Sequence, residues 1–174
     1  LHLPLLNLPG AFGTTVDTIP ANVPYIYVEP TRARTWRDKL ALDGKSLRGG
    51  LTWVGGQVGG LSEDSQRDCA LSLFAPLAKL RGVTFYSIQK GEAAIQGAHP
   101  PDGMALIDRT AELDDFADTA ALISHLDLVI SVCQTTIHVA GALGVPCLCL
   151  TPSEPSWRYG AGDSPVMPWY SSVT

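Results

Sequence analysis

The sequence predicts an α/β domain built on a doubly wound parallel sheet, and three observations carry that expectation. Five apolar runs, "LTWV", "VTFYSI", "MALI", "LVISV" and "PCLCL", are strand-sized. Helix-length stretches, "SLFAPLAKL", "DFADTAALISHL" and "TTIHVAGALG", alternate with most of them. The strand-like runs are almost continuously apolar, as befits strands covered on both faces, and right-handed crossovers then restrict the topology to the doubly wound class. With 174 residues, 45% apolar and 17% charged, the chain can bury one ordinary core but not two comfortable ones.

In chain order, residues 1–30 are proline-rich and carry no sustained period, so an extended lead-in is expected there, with residues 31–174 forming the domain. "TRARTWRDKL" has the mixed charge of a short surface helix, and "ALDGKSLRGG" reads as a polar connection. Strands are expected near 51–54, 83–88, 104–107, 128–132 and 146–150. In the helix after the first strand, Ser72 is a candidate N-cap and Pro76 lies close enough to the first turn to be tolerated. Asp115 or Asp118 can cap the next helix, and Gly144 followed by Pro146 stops the last one. Beyond Thr151 the chain is again proline-rich and aperiodic, an ordered tail anchored by Trp157, Trp169 and Tyr170.

Composition removes several classes. The net charge is -5 and no run of lysine or arginine occurs, so a nucleic-acid partner is not expected. The longest apolar stretches, 126–132 and 145–150, fall short of a membrane span, and no signal segment opens the chain, which points to a soluble cytoplasmic protein. Cys69, Cys133, Cys147 and Cys149 are expected to be reduced and buried, with Cys147 and Cys149 on one strand face. They lack metal-ligand spacing, so neither a metal nor another cofactor is expected.

If the first and fourth strands are neighbours in a 3-2-1-4-5 sheet, their carboxyl ends meet at the topological switch point, where open α/β sheets bind ligands. The loops there are "GGQVGG" and "CQTT". Gly55, Gly56, Gly59 and Gly60 permit close approach of backbone N–H groups to an oxyanion, although a plain turn accounts for them equally. Gln134, Thr135 and Thr136 open a helix whose unpaired N–H groups and dipole favour a phosphate; the alternative is ordinary capping. His138, three residues after Thr135, is expected on the same face toward the crevice, or else packed as a core histidine. Gln89 and Lys90 end the second strand, where an ammonium can meet a phosphate or simply be solvated. Arg158 reads as a salt-bridged anchor, and Asp115, Asp118 and Thr119 as caps.

"FYSIQKG", "DFADTAALI", "LDLVISVCQTTIHVAGALGVP" and "PSWRYG…SPVMPWYSSV" together resemble the C-terminal half of bacterial GT-B glycosyltransferases of the heptosyltransferase-like, tetratricopeptide-associated kind. More remotely they are similar to the O-linked N-acetylglucosamine transferases. The resemblance implies a Rossmann-like domain that holds the diphosphate of a nucleotide-sugar donor. Thr135, Thr136 and His138 would contact that diphosphate, Lys90 would neutralise it as it leaves, and Gly55 and Gly56 would border it. The resemblance further implies a partner N-terminal acceptor domain, with "LPLLNLPGAFGT" as its final connection, so the chain reads as a fragment open to self-association through the uncovered face. Two other classes are weighed: a non-catalytic binding module of the same fold, and a flavodoxin-like regulatory domain, which would want an acidic phosphoacceptor where the first strand ends in glycine.

Overall fold

The computed structural model describes residues 2–41, 43, 46–55, 67–155, 159 and 166–174. Short turns of helix mark the lead-in, including α1 (Leu8–Ala11), before α2 (Pro30–Ala41). Then follow β1 (Leu47–Thr52), a 3-10 helix (Leu71–Lys79), β2 (Val83–Ser87) and β3 (Leu106–Asp108). The chain continues through α3 (Phe116–Ile123), β4 (Leu128–Val132), α4 (Thr135–Leu143) and β5 (Cys147–Leu150). All five strands are parallel, in the order β3-β2-β1-β4-β5. The doubly wound sheet expected from the apolar runs is the one observed.

Strand alternation assigns side chains to two cores. Tyr86, Ile88 and Val129 meet Trp36, Leu40, Leu122, Ile123 and Ile137 beneath α2, α3 and α4. On the opposite face Leu51, Trp53, Phe85 and Ile130 meet Leu71 and Phe74 of the 3-10 helix. Polar contacts tie the elements together: Thr52 Oγ1 donates to Ser131 Oγ at 2.6 Å between β1 and β4. Arg32 of α2 pairs with Asp115 at 2.7 Å and Asp118 at 3.0 Å.

Three local expectations are corrected. β1 starts four residues earlier than the expected 51, at Leu47, so the supposed polar connection runs into the sheet. A Cβ on Gly49 would stand 2.7 Å from the Phe85 ring, and one on Gly50 2.6 Å from Ile88 Cδ1. The glycines are there because neighbouring side chains fill the space. The segment after β1 is a 3-10 helix whose N-cap is Ala70, not Ser72. Pro76 inside it lacks an N–H and clashes with the preceding turn of an α-helix, which favours the tighter, shorter form. Third, Gln134 holds the N-cap position of α4 without any side-chain cap bond. Asp115 does cap α3, accepting from the Asp118 N–H at 2.8 Å.

Lead-in and tail meet over α4. The Tyr25 N–H donates to Ala142 O at 2.9 Å, and its ring stacks on Tyr170 with centroids 6.2 Å apart. Gly144, at φ 73°, closes the helix in the left-handed conformation expected of its stop signal. The tail covers the free edge of β5, where Cys149 N–H donates to Thr174 O at 2.7 Å and Thr174 N–H to Cys147 O at 2.9 Å. Trp169 packs on the core and Tyr170 is buried; Trp157 and Arg158 lie outside the described residues. Among the described residues no helix is long and apolar enough to cross a membrane, and no cluster of three or more His, Cys, Asp or Glu side chains is arranged to hold a metal.

Candidate functional site

A cleft of about 520 Å³ opens at the carboxyl ends of β1, β2 and β4. Because β1 is flanked by β2 and β4, the connections on its two sides lead off in opposite directions, and the cleft is the gap they leave. Gly55, Gln89, Lys90, Gln134, Thr135 and Thr136, all expected at a binding site, line it together. Gly56, Gly59 and Gly60 lie outside the described residues.

Each wall has a local cause. Gly55 is buried where the chain leaving β1 passes the β4–α4 turn, and its N–H donates to Asp68 Oδ1 at 2.8 Å. A Cβ there would lie 3.7 Å from Cys133 O and 3.8 Å from the Arg67 guanidinium carbon, so a side chain would stand between the two loops. On the opposite wall the first turn of α4 has no side-chain cap, and the Gln134 Nε2 atom is buried with no protein hydrogen-bond partner. Thr136 is buried beside it and Thr135 is exposed. Uncapped N–H groups at a helix start, with hydroxyls and an amide donor, are suited to an anion.

Gln89 contributes structure to the cleft. Its Oε1 accepts from the Trp53 N–H at 3.0 Å and the Val54 N–H at 2.9 Å, and Nε2 donates to Lys90 O at 3.0 Å. One side chain therefore joins the ends of β1 and β2. Lys90 is exposed, and Nζ donates to Thr110 O at 3.1 Å and Leu113 O at 2.7 Å. Those carbonyls hold the ammonium at the cleft wall with one of its three protons uncommitted.

His138, expected on the Thr135 face, is not among the described residues that line this cleft. Its Nδ1 meets Tyr170 OH at 3.3 Å. The rings of Tyr170 and Tyr159 lie 5.8 Å and 6.2 Å from it. Gly141 makes room for this arrangement, since a Cβ there would overlap the Tyr170 ring. Burial raises the Tyr170 hydroxyl well above its ordinary pKa, with the Tyr25 hydrogen bond acting in the same direction, so the phenol stays neutral.

Sequence reasoning missed Glu92, Ala93 and Phe116 as cleft residues. Phe116 had a signal, a large aromatic directly after an N-cap on the polar first turn of a helix, and the structure leaves it 67% exposed. Asp68 had none, because a carboxylate in a polar loop looks alike whether or not it receives a backbone N–H.

No protein-family model matches the chain. It is 29% identical over 166 residues to Protein FlbA of Caulobacter vibrioides, an alignment covering 91% of this chain and 26% of that protein. Among solved structures it is similar to E. coli ADP-heptose LPS heptosyltransferase II, with a TM-score of 0.66 at 14% identity, over 91% of this chain and 47% of the other. It is also similar to a glycosyl transferase family 9 protein from Veillonella parvula, with a TM-score of 0.58 at 16% identity, over 86% of this chain and 43% of the other. The chain thus has the α/β fold found in part of each enzyme, and spans about a quarter of its curated relative and just under half of the solved structures.

Proposed function

We propose that this domain binds the diphosphate of a nucleotide-sugar donor and serves as the donor half of a GT-B glycosyltransferase. The observation that carries this reading is the cleft at the switch point, with the uncapped first turn of α4 and the unpartnered Gln134 amide forming one wall. The fold shared with a heptosyltransferase named for ADP-heptose supports the same reading. An anionic diphosphate matches these donors, and Thr135 and Thr136 supply hydroxyls.

In the transfer, the glycosidic carbon–oxygen bond to the diphosphate breaks and charge develops on the leaving oxygen. Donors already in place stabilise that charge without reorganising. Lys90 brings the positive charge, its remaining proton directed at the leaving group while Thr110 O and Leu113 O hold the other two. Gln89 keeps Val54, and with it Gly55, at the border. His138 acts through Tyr170 as a positioning residue that holds α4. The acceptor and any general base come from an N-terminal domain in the full-length protein, with tetratricopeptide repeats as the further partner.

Isothermal calorimetry with ADP and UDP against adenosine and uridine tests the site. Diphosphates should bind at least about tenfold more tightly, and Thr136→Ala should weaken them by about 1–2 kcal/mol, as for a lost charged hydrogen bond. Equal affinity for nucleoside and diphosphate would refute the anion site. In the full-length protein Lys90→Ala should lower the transfer rate far more than donor affinity; a protein that binds the donor yet neither transfers nor hydrolyses the sugar would be a binding module.

A further inference from the structure

Cys133 and Cys149 form an arrangement that donor binding does not use. Their sulfurs are 3.8 Å apart, and Cys133 Sγ is also 3.6 Å from Leu150 O. The pairing of β4 with β5 ends at Val132 opposite Leu150, so Cys133 stands one residue beyond the ladder and reaches back across it. A second cavity, of about 250 Å³ and lined by Cys149, Tyr159, Met167 and Thr174, reaches the pair from the Cys149 side, while Cys133 is buried behind it.

We propose that Cys133 and Cys149 are a redox-active dithiol which a hydroperoxide closes to a disulfide, drawing the β4–α4 turn toward β5 and displacing the cleft wall at residues 134–136. The proposal stands apart from the donor-site reading. A disulfide needs its sulfurs at about 2.05 Å, so closure from 3.8 Å draws them together, and whatever side-chain rotation does not take up falls on the backbone that carries them. Cys149 is fixed on both sides, by β4 and by the Thr174 carbonyl that accepts its N–H. The free end is therefore Cys133, and Gln134, Thr135 and Thr136 of the cleft follow it directly.

The two sulfurs differ in the way such a reaction needs. Donation from the Cys149 thiol holds Cys133 below the ordinary thiol pKa against the opposing effect of burial, aided by the Tyr159 hydroxyl and the Arg67 guanidinium. The same contact, with burial, holds Cys149 as the thiol. Cys133 sulfur attacks one peroxide oxygen, the O–O bond breaks, and hydroxide leaves and takes up a proton as water, producing a sulfenic acid. Cys149 sulfur then attacks Cys133 sulfur, the S–O bond breaks, and a second water carries off the thiol proton. Two thiols lose two electrons, one hydroperoxide gains them, and a dithiol reductant reverses the change. Cys147 stays outside the exchange, because it is buried at the other end of β5, opposite Val129, away from the end of the ladder where Cys133 reaches back.

The test treats the chain with hydrogen peroxide and counts free thiols, maps peptides, and follows hydrogen exchange across residues 133–137. The four free thiols should fall to two, with one Cys133–Cys149 cross-link that dithiothreitol removes. Exchange at 133–137 should change by roughly twofold or more on oxidation and return on reduction. Cys147→Ser should leave the cross-link intact and Cys149→Ser should abolish it; if that variant does not fold, peptide mapping of the unaltered chain decides. A Cys133 that proceeds to sulfinic acid, a cross-link through Cys69 or Cys147, or unchanged exchange at 133–137 overturns the proposal. No readout involves a nucleotide, so this proposal and the donor-site reading fail separately.

Discussion

Replacing Gln89 by methionine removes three hydrogen bonds while nearly preserving side-chain length. Gln89 is 4% exposed, its Oε1 accepts from Trp53 and Val54 N–H groups, and its Nε2 donates to Lys90 O. Trp53 is fully buried, so its N–H would bear the whole desolvation cost of an orphaned donor, about 1–3 kcal/mol. Val54 is half-buried and recovers part of its loss from water. Together the two orphans and the freed carbonyl should cost about 2–4 kcal/mol, with little offset from the thioether. For a chain of 174 residues each kcal/mol moves Tm by about 2–4 °C, so Gln89→Met should melt about 5–15 °C lower. Urea denaturation supplies the free energy and its m-value checks that unfolding remains two-state. A loss below about 0.5 kcal/mol, the range of an inconsequential surface change, would refute the role of Gln89 as the clasp between β1 and β2.

Two alanine insertions should differ in cost for a geometric reason. Gly141→Ala places a methyl against the base of the Tyr170 ring, which cannot swing away without leaving His138, and should destabilise by about 1–3 kcal/mol. Gly50→Ala presses on the rotatable tips of Ile88 and Leu126, with Val129 Cγ2 at ordinary contact distance, and should cost less in the same denaturation assay; the reverse ranking would contradict the packing described. Glu112 has its carboxyl pKa lowered, chiefly by the Lys39 hydrogen bond, with Arg109 adding to it against burial. A depressed folded pKa contributes stability above the unfolded value near 4.5, and that contribution is lost as pH falls through the folded pKa. Glu112→Gln should therefore cost about 0.5–1 kcal/mol at pH 7, a half-exposed pair's worth, and progressively less as pH falls through the folded pKa; a cost that does not change as the pH is lowered would rule out the ionic origin.

How much of the fold was legible depends on how local its cause is. β2 and β4 match their expected spans within a residue because their apolar runs end abruptly at polar positions. β1 was found only in part: Arg48, Gly49 and Gly50 carry no strand signal of their own, and what admits them is Phe85 and Ile88 from β2 and Leu126 from the approach to β4. The 3-10 form of residues 71–79 is readable in principle from Pro76, which no α-helix interior accommodates without loss. In the cleft, Gly55, Gln134, Thr135 and Thr136 followed from sheet order, since residues just past β1 and β4 must converge once those strands are neighbours.

By itself the sequence determined the parallel α/β class and, given neighbouring first and fourth strands, the loops that meet at the switch point; the structure supplied the strand order. Apolar periodicity and the handedness of crossovers act over a few residues and leave few topologies standing. Only the tertiary structure decided which polar groups face the cleft. Lys90 is held by carbonyls of residues 110 and 113, Gln89 by the end of β1, and His138 meets Tyr170, 32 positions later in the chain. A side chain's direction depends on partners at long sequence separation, and each such hydrogen bond is comparable in energy to the rotamer preferences it overrides.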